Sequence, residues 1–88
     1  MYSLLLKKSA SKELGNLTPK QEATVIRHLE IININPRSAG AKKFQGRDEY
    51  KLGVGDLRII YGINDKIKEV IVYMIDDRKR IYKRLRRR

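Results

Sequence analysis

The sequence contains no cysteine, so neither a disulfide nor a thiolate metal ligand can support the fold. That absence suits a reducing compartment, and a cytoplasmic location is expected. Long apolar runs are missing too. The opening MYSLLLKK is too brief for a signal peptide or a membrane span, and no membrane contact is expected. Histidine occurs once, as His28 within a helical pattern, where it reads as a partly exposed helix residue rather than a ligand. Acids are scarce, 10 against 21 bases. Asp48, Glu49 and Asp56 show no spacing that suggests a metal site or a pair of catalytic carboxylates. No glycine-rich loop precedes a helix, which argues against nucleotide hydrolysis. Nothing calls for a cofactor.

What is present is charge. The chain has 88 residues, enough for one domain spanning 1–88 with one modest core. Its net charge is +11, unevenly placed: RKRIYKRLRRR, residues 78–88, holds eight bases and no acid. The preceding 77 residues hold 13 bases and 10 acids, a net of only +3. Such a patch concentrates polyanions, of which nucleic acid is the commonest in a cell. A solvated basic tail over 84–88 that merely aids solubility is the plainer alternative.

Periodicity divides the chain into elements. YSLLLKK reads as a short strand, with Leu4 and Leu6 on one face. Ser9 or Ser11 is placed to cap a short helix carrying Ala10, Leu14 and Leu17, which Gly15-Asn16 ends. Thr18, Pro19 and Gln21 form a capping box, followed by an apolar stripe of Val25, Ile26, Leu29 and Ile32. Pro36 stops that helix. Residues 36–49 read as a connecting loop, with Phe44 as an anchor into the core. KEVIVYMI is a β-branched run expected to form a central strand buried on both faces. The pattern is α+β, in the order β-α-α-β-β-β. It predicts a small, mostly antiparallel sheet with two helices packed on one face and a basic C-terminal segment.

The most informative stretch is YKLGVGDLRIIYGI, residues 50–63. Gly55-Asp56 suits a two-residue type II′ turn, which sets Val54 opposite Leu57, Gly53 opposite Arg58 and Lys51 opposite Ile60. Tyr50, Leu52, Val54, Leu57, Ile59, Tyr61 and Ile63 then share the face against the helices. Lys51, Gly53 and Arg58 share the open one, with the two cations diagonal neighbours roughly 7 Å apart at Cα. Two readings fit. Either the cations are solvated on an open sheet face, or they hold a phosphate between a guanidinium fork and an ammonium. Arg78 emerges after the last strand, and Tyr82 follows on the same face if the segment is helical. Tyr82 suits base stacking, proton transfer, or simply closing the core.

Together, NPRSAGAKKFQG, the YKLGVGDLRIIYGI hairpin, the DRKRIYK ending and the strand-and-helices opening resemble the RelE/ParE superfamily of toxin–antitoxin toxins over nearly the whole chain. The resemblance implies a RelE-like ribosome-dependent mRNA endonuclease that inhibits translation. It would work without metal, the ribose 2′-OH attacking the adjacent phosphate to leave a 2′,3′-cyclic phosphate and a 5′-hydroxyl. Lys51, Arg58, Arg78 and Tyr82 match the family's catalytic positions. Lys42, Lys43, Arg80, Lys83, Arg84, Arg86, Arg87 and Arg88 are the expected RNA and ribosome contacts. Two positions depart from the family pattern. Gly53 stands where a second basic residue is usual, and Asp76-Asp77 precede Arg78 where Gly-His is frequent. Gly53 is expected to weaken the site, and Asp77 either partly neutralises it or pairs harmlessly with the tail. The implied partners are the ribosome, mRNA and a cognate antitoxin whose acidic, flexible segment wraps the toxin in a hetero-oligomer. Alternatives are a ParE-like toxin that binds a topoisomerase and cuts nothing, and a non-enzymatic basic nucleic-acid-binding module.

Overall fold

A computed structural model describes residues 2–37, 40–44, 46 and 48–86. The described elements run β1 (Ser3–Leu6), α1 (Lys8–Gly15), α2 (Pro19–Ile34), β2 (Ala41–Lys43), β3 (Glu49–Val54), β4 (Leu57–Asn64), β5 (Glu69–Asp77) and α3 (Arg78–Arg86). The β-α-α-β-β-β order holds, with two additions. Strand β2 lies inside the stretch that reads as a loop, and the basic C-terminal segment is helical.

Local chemistry explains most element ends. Thr18 Oγ1 accepts from Gln21 N at 3.2 Å, and Gln21 Oε1 accepts from Thr18 N at 3.1 Å, so the capping box closes ahead of Pro19. Val25, Leu29 and Ile32 are buried, but Ile26 is 41 % exposed because it turns onto the outer flank of α2. Helix α1 starts earlier than a serine cap would place it. Lys7 is its N-cap and makes no side-chain cap bond. The joint is fastened instead by Lys7 N donating to Val72 O at 2.9 Å and Ser9 Oγ donating to Tyr73 O at 3.1 Å. Ser9 therefore ties α1 to the sheet rather than capping it.

The five strands lie in the order β1-β5-β4-β3-β2. β1 runs parallel to β5, and the remaining pairs are antiparallel. On the face toward α1 and α2, Leu52, Val54, Leu57, Ile59 and Tyr61 join Val70, Val72 and Ile75, with Tyr50 and Ile63 at the margin. On the other face a smaller cluster joins Ile60 and Met74 to Ile81 and Leu85 of α3, with Phe44 and Tyr73 against it. The hairpin's second face is thus partly roofed by a third helix, not open. Phe44 anchors this second cluster rather than the main core. β5 is an inner strand between β1 and β4, as its apolar run predicts. The middle place belongs to β4, however, and Ile71 and Tyr73 on β5 are only half-buried.

A clasp at the far end of the sheet has no counterpart in the sequence reading. Arg37 donates to both oxygens of Asp65, at 3.2 and 2.8 Å, and through Nε to the Tyr50 hydroxyl at 3.2 Å. The Tyr2 hydroxyl donates to Asp65 at 2.8 Å, and that of buried Tyr61 donates to Pro36 O at 2.5 Å. The Asn-Pro-Arg turn after α2 is thereby fastened to β1, β3 and β4. Burial pushes the Tyr61 phenol up to about 12. The Arg37 hydrogen bonds, helped by Tyr2, hold the Asp65 carboxyl down to about 2. A depressed carboxyl stabilises the fold above its unfolded value of about 3.9, and that contribution is lost as pH falls through the folded value. Urea unfolding of wild type and Asp65→Asn between about pH 5 and pH 2 is the check. Wild type should lose stability toward acid more steeply, and the two midpoints should converge at the acid end.

Candidate active site

The β3–β4 register matches the expectation: Val54 faces Leu57, Gly53 faces Arg58 and Lys51 faces Ile60. Gly55 has φ +60°, while Asp56 is not among the residues with positive φ. That combination is the type II′ turn, whose first central position favours glycine. Strict alternation then sends Lys51, Gly53 and Arg58 to the α3 side. Lys42 of β2 pairs with Lys51 and joins that side. Lys43, one residue on, points to the opposite face, with Nζ 3.8 Å from Asp48. It is not part of this cluster.

Helix α3 supplies the rest. Asp77 Oδ1 accepts from Arg80 N at 2.9 Å, the geometry of an aspartate N-cap. Its other oxygen lies 3.5 Å from Arg80 Nε. Asp77 therefore starts the helix and engages Arg80 rather than neutralising the hairpin cations. Arg78 N donates to Asp56 O at 2.9 Å, which ties the first residue of α3 to the hairpin turn. Ile81 and Leu85 are buried, so the adjacent flank of the helix, carrying Arg78 and Tyr82 one turn apart, overhangs the hairpin.

The result is a tyrosine ringed by cations. Lys51 Nζ donates to the Tyr82 hydroxyl at 3.2 Å. The same ammonium lies 5.2 Å from the Tyr82 ring centroid and 5.8 Å from that of Phe44. The Lys51 hydrogen bond, then the charges of Lys51, Arg78 and Arg58, lower the Tyr82 phenol below its ordinary value. Positive charge beside the hydroxyl favours the phenolate, so proton transfer is easier than from a free tyrosine. Arg58 Nη1 donates to Gly55 O and Leu57 O, each at 2.8 Å. A cleft of about 680 Å3 opens beside the cluster, lined by Asp56, Asp77, Arg78, Lys79 and Tyr82. Lys51, Arg58, Arg78 and Tyr82 are thus brought together as the sequence anticipates. Among the described residues, no three of His, Asp and Glu gather into a set able to hold a metal ion.

The outer cations are sorted by what they touch. Arg84 donates to Glu13 and, at 3.1 Å, to Asp76, and its side chain is only 29 % exposed. Glu13 also accepts from Ile75 N at 3.0 Å, on β5 beyond the end of its pairing with β1. Arg84 is therefore a structural bolt between α3, α1 and the sheet, not a free RNA contact. Removing residues 84–88 would strip Arg84 and Leu85 from the helix packing, not only a basic tail. Lys83 is exposed, and Arg86 donates to Tyr82 O at 3.4 Å. Arg87 and Arg88 lie outside the described residues. The Asp77 cap was legible in sequence as an aspartate ahead of a helical run; the Glu13–Arg84–Asp76 cluster carried no local signal.

No family model and no curated protein matches the chain. Solved structures do. The isolated E. coli RelE toxin matches with a TM-score of 0.79 at 22 % identity, covering 99 % of this chain and 97 % of that one. The chain has the RelE fold. The intact E. coli RelBE toxin–antitoxin complex matches with a TM-score of 0.79 at 23 % identity, over 88 % of this chain and 96 % of that one. A YoeB/ParE toxin from Agrobacterium tumefaciens gives 0.76 at 10 % identity, over 85 % and 96 %.

Two outcomes follow from the RelE-fold geometry. Lys51→Met should return the Tyr82 phenol toward its free value, read by NMR titration of isotope-labelled tyrosine; an unmoved titration would show that Lys51 does not act on Tyr82. Arg84→Ala leaves Glu13 and Asp76 facing each other without their shared cation. It should cost about 1–3 kcal/mol in urea unfolding, more than an ordinary surface substitution.

Proposed function

We propose that the chain is the toxin of a type II toxin–antitoxin system and a ribosome-dependent mRNA endonuclease of the RelE type, acting in the cytoplasm. The observation that carries this reading is the Lys51–Tyr82 hydrogen bond with Arg58 and Arg78 beside it. Cleavage removes the proton of a ribose 2′-OH, joins O2′ to phosphorus, breaks the P–O5′ bond and returns a proton to O5′. Tyr82 moves the proton, and the Lys51 charge stabilises its phenolate. Arg58 and Arg78 bind the phosphoryl oxygens as negative charge grows on them. Preorganised donors of this kind supply transition-state stabilisation without a metal. Lys42, Lys79 and Lys83 extend the cationic surface for RNA. The net charge of +11 suits an acidic, flexible antitoxin segment, and the RelE-fold neighbour in the E. coli complex is itself paired with an antitoxin.

Primer extension on a defined message in a translating extract tests the nuclease. Wild type should cut only translated message. Arg58→Ala should lose roughly 10²–10³-fold of the rate, the scale for removing one preorganised donor. Tyr82→Phe should cut far more slowly while remaining folded; equal rates would remove Tyr82 from the chemistry. No cuts from folded, antitoxin-free protein would overturn the reading. It would favour a ParE-like toxin that binds a topoisomerase, a reading supported by the YoeB/ParE neighbour and tested by DNA supercoiling.

A further inference from the structure

The Arg58 guanidinium is fastened at one end and open at the other. Nη1 directs its protons to two carbonyl oxygens of the hairpin turn, Gly55 O and Leu57 O, at 2.8 Å each. Nε and Nη2 have no partner among the described residues. The fastened end lies over Gly53. A Cβ placed on that glycine would meet Arg58 Cζ and Nη1 at 3.3 Å, closer than the usual contact of about 3.5–4.0 Å between carbon atoms, and Nε at 3.5 Å. A side chain at 53 would press on the planar group and force it to shift by a few tenths of an ångström.

The neighbouring carboxylate is also kept away. Asp76 is the residue across from Arg58 in β5, the natural partner for its free edge. Yet Asp76 Oδ2 is held by Arg84 Nη1 at 3.1 Å, and Oδ1 accepts from Asp77 N at 2.8 Å. The guanidinium is therefore oriented by neutral carbonyls, and its charge is left uncompensated. Glycine inside a strand costs stability and gives no packing in return. Its presence opposite Arg58 has a use if the vacancy is what the arginine needs.

We infer that Gly53 is a positioning residue: the space left by its missing side chain seats the Arg58 guanidinium, so that the free Nε–Nη2 edge faces a phosphate. In its consequence for cleavage this rests on the nuclease reading above. It inverts the expectation that glycine merely deprives the site of a cation. A paired N–H edge binds two oxygens of one phosphate in a fixed plane, and a fixed donor needs no reorganisation as charge develops. A lysine at 53 adds a charge but pushes the guanidinium off its seat by a few tenths of an ångström.

The test uses the full chain with Gly53→Ala and Gly53→Lys, and Arg58→Lys to assign the Arg58 signals. Guanidinium NMR should show restricted rotation about Cζ–Nη1 of Arg58 in wild type, lost in both Gly53 variants. Orthophosphate should shift the Arg58 Nε signal in wild type and clearly less in Gly53→Ala. Thermal unfolding should show Gly53→Ala still folded well above the assay temperature, so that changed Arg58 spectra report the seat rather than unfolding. In single-turnover cleavage on programmed ribosomes, Gly53→Ala should lose roughly ten- to a hundredfold in the saturating cleavage rate constant, with the half-saturating concentration little changed, the scale for a misplaced catalytic group. Arg58 spectra and phosphate response unchanged in Gly53→Ala would overturn the seat, as would faster cleavage by Gly53→Lys than by wild type. If wild type cuts no message, the nuclease reading fails, and the spectra with the phosphate titration alone decide the seat.

Discussion

Ile81 and Leu85 press into the sheet beside Ile60 and Met74, and the candidate site exists because of that contact. Each fully buried aliphatic side chain contributes about 1.5–3 kcal/mol relative to exposure. α3 is held at both ends as well: Arg78 N bonds to the hairpin turn, and Arg84 bolts the last turn to Glu13 and Asp76. A helix so fixed has one free rotation left, about its own axis, and the buried pair settles it. Arg78 and Tyr82 then stand over Lys51 and Arg58. Without the helix, the hairpin would carry two like charges beside each other and no group to move a proton.

The few acids account for how such a cluster stays positive. Asp65 is taken by Arg37, Asp48 by Lys43, Glu13 and Asp76 by Arg84, and Asp77 by the helix N-terminus and Arg80. Among the described residues none forms an ion pair with Lys51, Arg58 or Arg78. These carboxylates act as fasteners of the scaffold, and the hairpin cations are left without an ion pair among the described residues. The same distribution ranks the cations. Arg84 and Arg80 count toward +11 as fully as Arg58 does, yet their charge is met by carboxylates within the protein.

Identity of 22–23 % to RelE structures carries the backbone arrangement and nothing beyond it. What favours a nuclease here is local: a phenol lowered by three cations and hydrogen-bonded to one of them. Gly53 fits the same picture, since the Arg58 guanidinium across the hairpin lies over it.

The hairpin was readable residue by residue. Its turn type, its register and the face of every residue from Tyr50 to Ile63 follow from a glycine able to take positive φ and from period-two alternation, both properties of neighbours in the chain. Helix α2 was equally plain, because the Thr18–Gln21 box closes over three residues. Strand β2 escaped because three residues carry too little alternation to register. Ile26 shows that a stripe alone does not settle which flank is covered. The Arg37–Asp65 pair and the Glu13–Arg84 bolt join residues 28 and 71 positions apart, and the docking of α3 on the supposedly open face sets Ile81 and Leu85 against Ile60 of the hairpin. Local sequence thus sufficed for which side chains point which way along a strand or helix. Which of two exposed faces becomes covered, and which of 21 cations stays free to act, depended on distant segments packing together, since a charge declares its sign but not its partner.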